Sequence, residues 1–268
     1  MPDPKPKKET LLKRSESKKF KDDGSMPNDD IVMWIKGKKV GSLGNFIALS
    51  GKQKSRKTAY LGAVMGSAIT GDEILGILCD LPAESPDVLH IDTEQSEYDY
   101  KMSIDRMKRL AKVKKLPKKV FNSYRFRDWN NTEIKDFIDE YLTEYASTGL
   151  VVIDGITDLV VDFNSIDECK RLTDWLKGLT EHHKVLVICI IHRSKSANFS
   201  IGHLGSFIER AAQSALEVLL GTPGEKVVNR NISTLQAEYM RSDAEFSAVS
   251  IQYSTSAQTW VEIDNTKE

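Results

Sequence analysis

Five short runs of the chain are apolar or nearly so, and longer amphipathic stretches separate them. The runs are residues 46–49, 88–92, 150–153, 185–191 and 215–220. They have the length and composition of strands that are buried on both faces of a parallel sheet. Two of the amphipathic stretches open with helix-start signals, at Asn130 and Ser165. Residues 227–263 alternate apolar and polar positions instead, which predicts antiparallel strands. We therefore expect an α/β fold with a mostly parallel central sheet, flanking helices and C-terminal antiparallel strands.

Composition places the chain among ordinary globular proteins. Of its 268 residues, 40% are hydrophobic and 29% charged, and the net charge is −1, so any surface that attracts nucleic acid must be local. The three cysteines are scattered, which argues against a disulfide framework and a zinc site. No run reaches the ~18 apolar residues of a membrane helix, and no signal peptide is evident. We expect a cytoplasmic protein with no membrane contact.

Charge also divides the chain. Residues 1–30 are crowded with Lys, Asp, Glu, Ser and Pro and lack apolar periodicity, which predicts a disordered arm. Such an arm is typically a solvated tail, and the alternative is folding on a partner. Residues 31–268 are expected to form a single domain.

A strand, a tight loop and a helix follow one another around residues 46–69. The loop and helix start comprise Gly51, Lys52, Gln53, Lys54, Ser55, Arg56, Lys57, Thr58 and Ala59. Backbone N–H groups at such a helix start point at phosphates, Lys57 would reach the β- and γ-phosphates, and the Thr58 hydroxyl would ligate Mg²⁺. The segment therefore predicts a site for a nucleoside triphosphate with magnesium.

Arg56 departs from the usual phosphate-loop pattern, which has glycine before the lysine. Glycine lets the backbone approach a phosphate, so the Arg56 side chain must turn outward, towards solvent or a neighbouring subunit. The alternatives are a degenerate loop and an ordinary lysine-rich surface turn.

Carboxylates follow two of the predicted strands. Glu94 comes directly after residues 88–92, where it could orient or deprotonate a water, although this position also suits the first turn of a helix. Asp154 closes the strand at residues 150–153 and is placed to hold the metal through water. The sequence thus predicts two acids at the edge of the sheet that carries the phosphate loop.

His192 closes the fourth strand, and a polar stretch, residues 193–203, follows it. The histidine could sense a γ-phosphate and pass the signal to that stretch. The alternative is a histidine that is hydrogen-bonded at a strand end.

Residues 101–127 hold eleven Lys or Arg and one acid, Asp105, interleaved with apolar and aromatic side chains. Such a stripe can track a phosphate backbone. A solvated helix face with a basic connector is the alternative interpretation.

The order of these parts resembles the RecA-like P-loop ATPases. The motifs are the phosphate loop, HIDTEQ, VVIDG and IIHRSKSANFSIGHLGS, followed by C-terminal antiparallel strands. Among these ATPases the chain is most similar to the plasmid RepA-type hexameric helicases and the related ATPases of bacterial mobilizable elements.

The resemblance implies an ATP- and Mg²⁺-dependent hydrolase that works as a hexameric ring or filament on DNA, with single-stranded DNA as the expected partner. It implies that Glu94 activates water and that His192 links the nucleotide to a DNA-facing loop. The loop residues so implied are Arg193, Lys195, Phe199 and His203. A basic finger from a neighbouring subunit is implied as well, with Arg241 as the best match and Lys226 and Arg230 as weaker ones.

Two other functions remain open from the sequence. One is a nucleotide-gated DNA-binding or recruitment factor for replication or transfer, with little turnover and no unwinding. The other is a small-molecule kinase, which generally needs a lid and an acceptor pocket, and no candidate lid is evident.

Overall fold

The computed structural model describes residues 11–20, 22, 24, 30–118, 120–193, 202–224 and 228–263. Its main feature is a nine-stranded sheet in the order β12-β11-β10-β9-β3-β8-β7-β5-β6. The strands from β9 to β6 in this order run parallel to one another. They are β3 (Phe46–Gly51), β5 (Asp87–Asp92), β6 (Phe121–Arg125), β7 (Thr148–Asp154), β8 (Leu186–His192) and β9 (Ser214–Leu220). The predicted α/β class is confirmed.

All five strands predicted from apolar runs are present, within two residues of the expected bounds. Their side chains are almost all buried because helices cover both faces of the sheet. The carboxyl ends of β3, β5, β7 and β8 lie at one edge, since Asp92 pairs with Asp154 and Gly51 with His192. The loops after these strands are thereby brought together.

Six α-helices are described. They are α1 (Leu11–Ser15), α2 (Lys57–Thr70), α3 (Glu97–Leu110), α4 (Asn131–Glu144), α5 (Ile166–His183) and α6 (Gly202–Ala211). α2 and α3 pack on one face of the sheet, and α4, α5 and α6 on the other. The predicted start signals are confirmed: Asn130 and Glu133 form a capping box on α4, and the Ser165 side chain caps α5.

A smaller antiparallel sheet, in the order β2-β1-β4, packs beside α2. It consists of β1 (Ile31–Ile35), β2 (Lys38–Ser42) and β4 (Ile77–Cys79). The sequence indicated ordered structure from residue 31 but did not predict this sheet. β6 was also missed, because its polar sequence lies inside the basic stretch at residues 101–127.

The C-terminal strands β10 (Ile232–Met240), β11 (Val249–Ser254) and β12 (Thr259–Ile263) extend the main sheet in antiparallel fashion, as predicted. Among the described residues, every helix is too short or too polar to traverse a lipid bilayer. The predicted disorder of residues 1–30 falls largely outside the described residues and stays a prediction. The part that is described includes α1 and an ion pair of 2.8 Å between Lys18 and Glu181.

Candidate functional site

The loop between β3 and α2 passes very close to β9. A Cβ atom at Gly51 would lie 2.6 Å from the Val218 carbonyl oxygen and 2.7 Å from the Ser55 hydroxyl oxygen, so a side chain has no room there. Lys54 and Arg56 both adopt left-handed backbone, with φ of 65° and 72°. The turn ends at the N-terminus of α2, whose first N–H groups have no partner within the helix and are suited to bind an anion.

Lys57, the first residue of α2, points back into the loop. Its side chain is 6% exposed, and its ammonium group donates hydrogen bonds to the carbonyl oxygens of Gly51 (2.8 Å) and Lys52 (3.1 Å). Burial lowers the pKa of this group to about 8, while the negative charges of Asp154 and Glu94 act in the opposite direction. A buried cation is thus held at the centre of the loop.

His192 connects Lys57 to Glu94. Its Nδ1 lies 3.3 Å from Lys57 Nζ, and its Nε2 lies 2.6 Å from Glu94 Oε1. The hydrogen bond from His192 is the main reason that the pKa of Glu94 is lowered, with burial opposing and the charges of His192 and Lys57 adding to it. Glu94 is consequently a carboxylate at neutral pH and can accept a hydrogen bond from a nucleophile.

Asp154 ends β7 beside this group. Burial raises the pKa of its carboxyl to about 7, with further contributions from Asp92 and Glu94, and the charges of Lys57 and His192 counteract them. The carboxylates of Asp92 and Glu94 thus add negative charge beside Asp154. A carboxylate oxygen suits a hard divalent ion, so the chemistry of Asp154 fits a magnesium ligand, and the Thr58 hydroxyl is on an exposed residue of the first turn of α2.

Asp92 is a site residue whose role the sequence reasoning missed. It is fully buried, and its Oδ1 accepts hydrogen bonds from the backbone N–H groups of Glu94 (3.1 Å) and Gln95 (2.8 Å). His90, Asp92 and Asp154 offer ligand atoms within 4.8 Å of one another. Asp92 Oδ1 already accepts these amide hydrogen bonds and His90 Nδ1 already pairs with Ser123 Oγ (2.8 Å), so Asp154 is the member of the three that we expect to face a metal.

The turn after Asp92 settles the alternative interpretation of residues 92–97. The side chain that caps α3 belongs to Ser96, which accepts a hydrogen bond from Asp99 N. Glu94 precedes this cap and points towards His192 instead. The helix-start interpretation is therefore wrong for Glu94 itself. Ser96, a preferred N-cap residue two positions after Glu94, is the signal that could have separated the two roles.

The Arg56 side chain turns away from the loop, as predicted, although it meets its own chain rather than solvent or a neighbour. Its Nη2 donates to the Arg230 carbonyl oxygen at 2.6 Å and its Nη1 to the Ile232 carbonyl oxygen at 3.3 Å. The guanidinium carbon lies 5.0 Å from the ring centroid of Trp260. Burial lowers the pKa of Arg56 below its ordinary value.

The expectation that Arg193 faces DNA needs correction. Its side chain is 5% exposed, and its guanidinium pairs with Glu217 (2.6 Å), Glu238 and Glu209 (3.8 Å). Nε also donates to Ser50 Oγ at 3.0 Å. These partly buried carboxylates hold the buried Arg193 side chain within the fold, so it does not face solvent as a DNA contact would.

The other predicted DNA-binding residues are placed in part. His203 is exposed in the first turn of α6. Lys195 and Phe199 lie outside the described residues, as does Lys226. Of the predicted DNA contacts within the described residues, His203 is exposed and Arg193 is buried.

Arg241 and Arg230, the candidates for the basic finger that reaches a neighbouring subunit, lie at opposite edges of the sheet. Arg241 follows Met240, which pairs with Ser214 near the start of β9, and its guanidinium donates to the Arg210 carbonyl oxygen. This is the edge opposite the phosphate loop of the same subunit. Arg230 is exposed beside the loop, where its carbonyl group binds Arg56.

The basic stretch of residues 101–127 divides into two parts. In α3, Lys101 pairs with Glu97 and Arg109 with Asp105, as on a solvated helix face. In the described part of the connector between α3 and β6, four lysines are exposed: Lys112, Lys114, Lys115 and Lys118. Both interpretations of the stretch therefore retain support, the helix face for α3 and a polyanion contact for the connector.

Comparison with known proteins supports this description. A family described as AAA domain matches residues 13–198, which is more than half of the chain. The RadB recombinase has a similar structure, with a TM-score of 0.52 and 16% identity over 83% of this chain and 92% of that one. A KaiC-like protein from the hyperthermophilic archaeon Pyrococcus horikoshii OT3 has a TM-score of 0.55 and 12% identity over 83% and 91% of the two chains. No curated protein matches the sequence.

Proposed function

Since this chain belongs to the AAA domain family, we propose that it is an oligomeric ATPase that hydrolyses Mg·ATP between subunits and acts on DNA. At the coarser level it is a P-loop ATPase of RecA-like fold. The observation that carries the finer proposal is the continuous contact from Lys57 through His192 to Glu94, because it joins the phosphate loop to a carboxylate.

The nucleotide would bind with its phosphates at the N-terminus of α2. Lys57 would exchange its carbonyl partners for phosphate oxygens, and the free N–H groups of the turn would donate to the phosphates. Thr58 and Asp154 would hold the magnesium ion, which would draw negative charge from the β- and γ-phosphates when bound. The buried negative charge around Asp154 supports this assignment.

Hydrolysis would depend on Glu94 as the group that orients and deprotonates water. Its lowered pKa supports this role, since a base must be ionised before it can accept a proton. His192 touches both Glu94 and Lys57, so a change at the phosphates would reach residues 193–203 through this ring.

A cation from a neighbouring subunit would complete the charge around the transition state, with an effect of roughly 10³-fold or more on the rate. Arg241 remains the first candidate for this trans contact. Arg230 is the second, and its exposed position at the edge that carries the loop supports it. This arrangement requires a homo-oligomer, for which we propose a hexameric ring or a filament.

The DNA-facing surface would include Lys195, Phe199 and His203 but not Arg193. Single-stranded DNA is the proposed partner, and unwinding or translocation in replication or mobilization, as in RepA-type helicases, is the proposed activity. The alternative is a nucleotide-gated DNA-binding factor with little turnover.

ATP turnover measured with and without single-stranded DNA tests the proposal. We expect stimulation by DNA, loss of nucleotide binding in Lys57→Ala, and retained binding in Glu94→Gln with turnover reduced roughly 10²–10⁴-fold. Lys177→Ala and Glu140→Gln, both exposed and remote from the loop, are the matched controls. Binding without turnover would favour the recruitment factor, and turnover that ignores DNA would contradict a DNA motor.

The trans contact is tested by mixing subunits. Arg241→Ala and Lys57→Ala proteins, each inactive alone, should regain turnover when mixed, because the second supplies the arginine to the intact loop of the first. If only Arg230→Ala is rescued in this way, the finger belongs to Arg230. Mass measurement with a non-hydrolysable ATP analogue gives the ring size.

A further inference from the structure

Arg56 contacts three residues of the C-terminal region, one in β10, one in β12 and one just before β10. Its guanidinium donates to the carbonyl oxygens of Arg230 and Ile232, at 2.6 and 3.3 Å, and lies 5.0 Å from the centroid of the Trp260 ring. Charge-assisted hydrogen bonds and a cation–π contact are among the stronger polar interactions at a partly buried site. The residue that departs from the usual loop pattern therefore contacts both β10 and β12.

Two neighbours of Arg56 bind the same strand. Ser233 Oγ donates to the Ser55 carbonyl oxygen at 2.6 Å. The buried Tyr60 hydroxyl lies 2.7 Å from the Ser233 carbonyl oxygen and 3.0 Å from that of Val249. The loop and the first turn of α2 are thus connected to β10 at successive positions, and Arg56 is the charged member of the set.

The backbone of Arg56 adopts a conformation that carries a free-energy cost, and the side-chain contacts can offset that cost. A φ of 72° is the left-handed region, which costs about 1–2 kcal/mol for a residue other than glycine. Glycine would adopt it freely, but it would provide no contact to the strands. In this chain the side-chain contacts offset the backbone cost, so the conformation of the loop depends on strands that lie far away in sequence.

We propose that Arg56 is a positioning residue. Its contacts with β10 and β12 hold the phosphate loop in the conformation that binds nucleotide. Nucleotide binding would then change the exposure of residues 230–234 through this side chain. The inference rests on the proposed function, since the loop must bind a nucleotide for the second statement to hold. On this proposal the loop of this chain requires the arginine at position 56, where the usual pattern has glycine.

The order of affinities among substitutions at residue 56 tests the first statement. We expect the dissociation constant for a fluorescent Mg·ATP analogue to increase slightly in Arg56→Lys, about tenfold in Arg56→Gly, and further in Arg56→Ala, since alanine keeps the backbone cost and loses the contacts. Trp260→Leu should weaken binding in wild type but add little in Arg56→Ala. Arg171→Ala, at an exposed position of α5, is the control.

Backbone amide exchange tests the second statement and separates it from a loss of stability. In the wild type, the non-hydrolysable analogue should slow exchange in residues 230–234, whereas in Arg56→Gly it should protect the loop alone. A substitution that only destabilised the fold would raise exchange throughout the sheet and lower the melting temperature in proportion.

The outcomes are distinct. If Arg56→Gly binds as tightly as wild type and still transmits protection to residues 230–234, the inference is overturned. If the wild type binds no nucleotide, the proposed function fails. Amide exchange in the ligand-free proteins then tests by itself whether Arg56 holds the loop. Arg56→Gly should then show faster amide exchange at residues 52–57 than the wild type. Equal exchange rates would overturn the positioning role of Arg56 as well.

Discussion

Asp92 holds the backbone of Glu94, whose N–H group donates a hydrogen bond to Asp92 Oδ1 at 3.1 Å. Glu94 is therefore oriented by a buried carboxylate as well as by His192. We expect Asp92→Ala to lower ATP turnover about tenfold with less than a threefold change in nucleotide affinity, since an unmade buried hydrogen bond costs about 1–3 kcal/mol. Steady-state turnover and equilibrium binding measure the two effects.

Asp80→Ala, at an exposed position after β4, is the control for Asp92→Ala. An equal loss of turnover and affinity would mean that Asp92 supports the whole site rather than Glu94.

His192 lowers the pKa of Glu94, so its removal should change the pH profile of turnover. In His192→Ala the pKa of Glu94 loses its main lowering contribution and rises towards its ordinary value. Because Glu94 acts as a base, the acidic limb of the profile should move to higher pH, and stimulation by DNA should disappear. Turnover measured from acidic to neutral pH tests this, and an unmoved acidic limb would assign the base to another residue.

Arg193 should act on stability rather than on DNA affinity. Arg193→Ala leaves Glu217, Glu238 and Glu209 without their shared cation in a largely buried position, and we expect a loss of roughly 3–5 kcal/mol in the free energy of unfolding. Urea denaturation measures the loss. A variant of unchanged stability that binds DNA weakly would restore the original expectation for Arg193.

His90 should make the protein less stable in acid. Burial lowers the pKa of His90 from 6.5 to about 4, so between these values the unfolded chain binds the proton and the folded chain does not. The stability that neutral His90 contributes is present above pH 6.5 and is lost as the pH falls towards 4. His90→Gln can keep a hydrogen bond to Ser123 without titrating.

Melting temperatures of wild type and His90→Gln, compared from pH 7.5 to pH 4.5, isolate this contribution, because the nearby carboxylates are common to both. The difference between the two proteins should narrow or reverse in acid. Parallel curves would show that His90 is not neutral in the fold.

The central sheet could be predicted because parallel strands covered on both faces must be apolar along their whole length. Helix starts such as Asn130 were equally clear, since their caps are local. Strand β6 was hidden because an edge strand tolerates polar residues. The polar, glycine-containing sequence of β2 and the three-residue length of β4 likewise leave no clear pattern for the small sheet. The fold was thus predictable where burial leaves a continuous pattern.

The site could be predicted where chemistry follows directly on a strand end, and less where partners come from distant strands. Lys57, Glu94 and His192 are brought together because β3, β5 and β8 end at one edge. Arg193 also follows a strand end, which suggested an exposed loop, but its partners Glu217 and Glu238 lie on β9 and β10. The sequence offers no local signal for such a contact.

The contact between Arg56 and Trp260 has a consequence for how related sequences diverge. We expect an arginine before the lysine to occur together with an aromatic residue some two hundred positions later, and sequences with glycine before the lysine to vary freely at that second position. The two sites should therefore change as a pair over evolutionary time, and the C-terminal end of the chain should be conserved most where the phosphate loop departs furthest from its usual form.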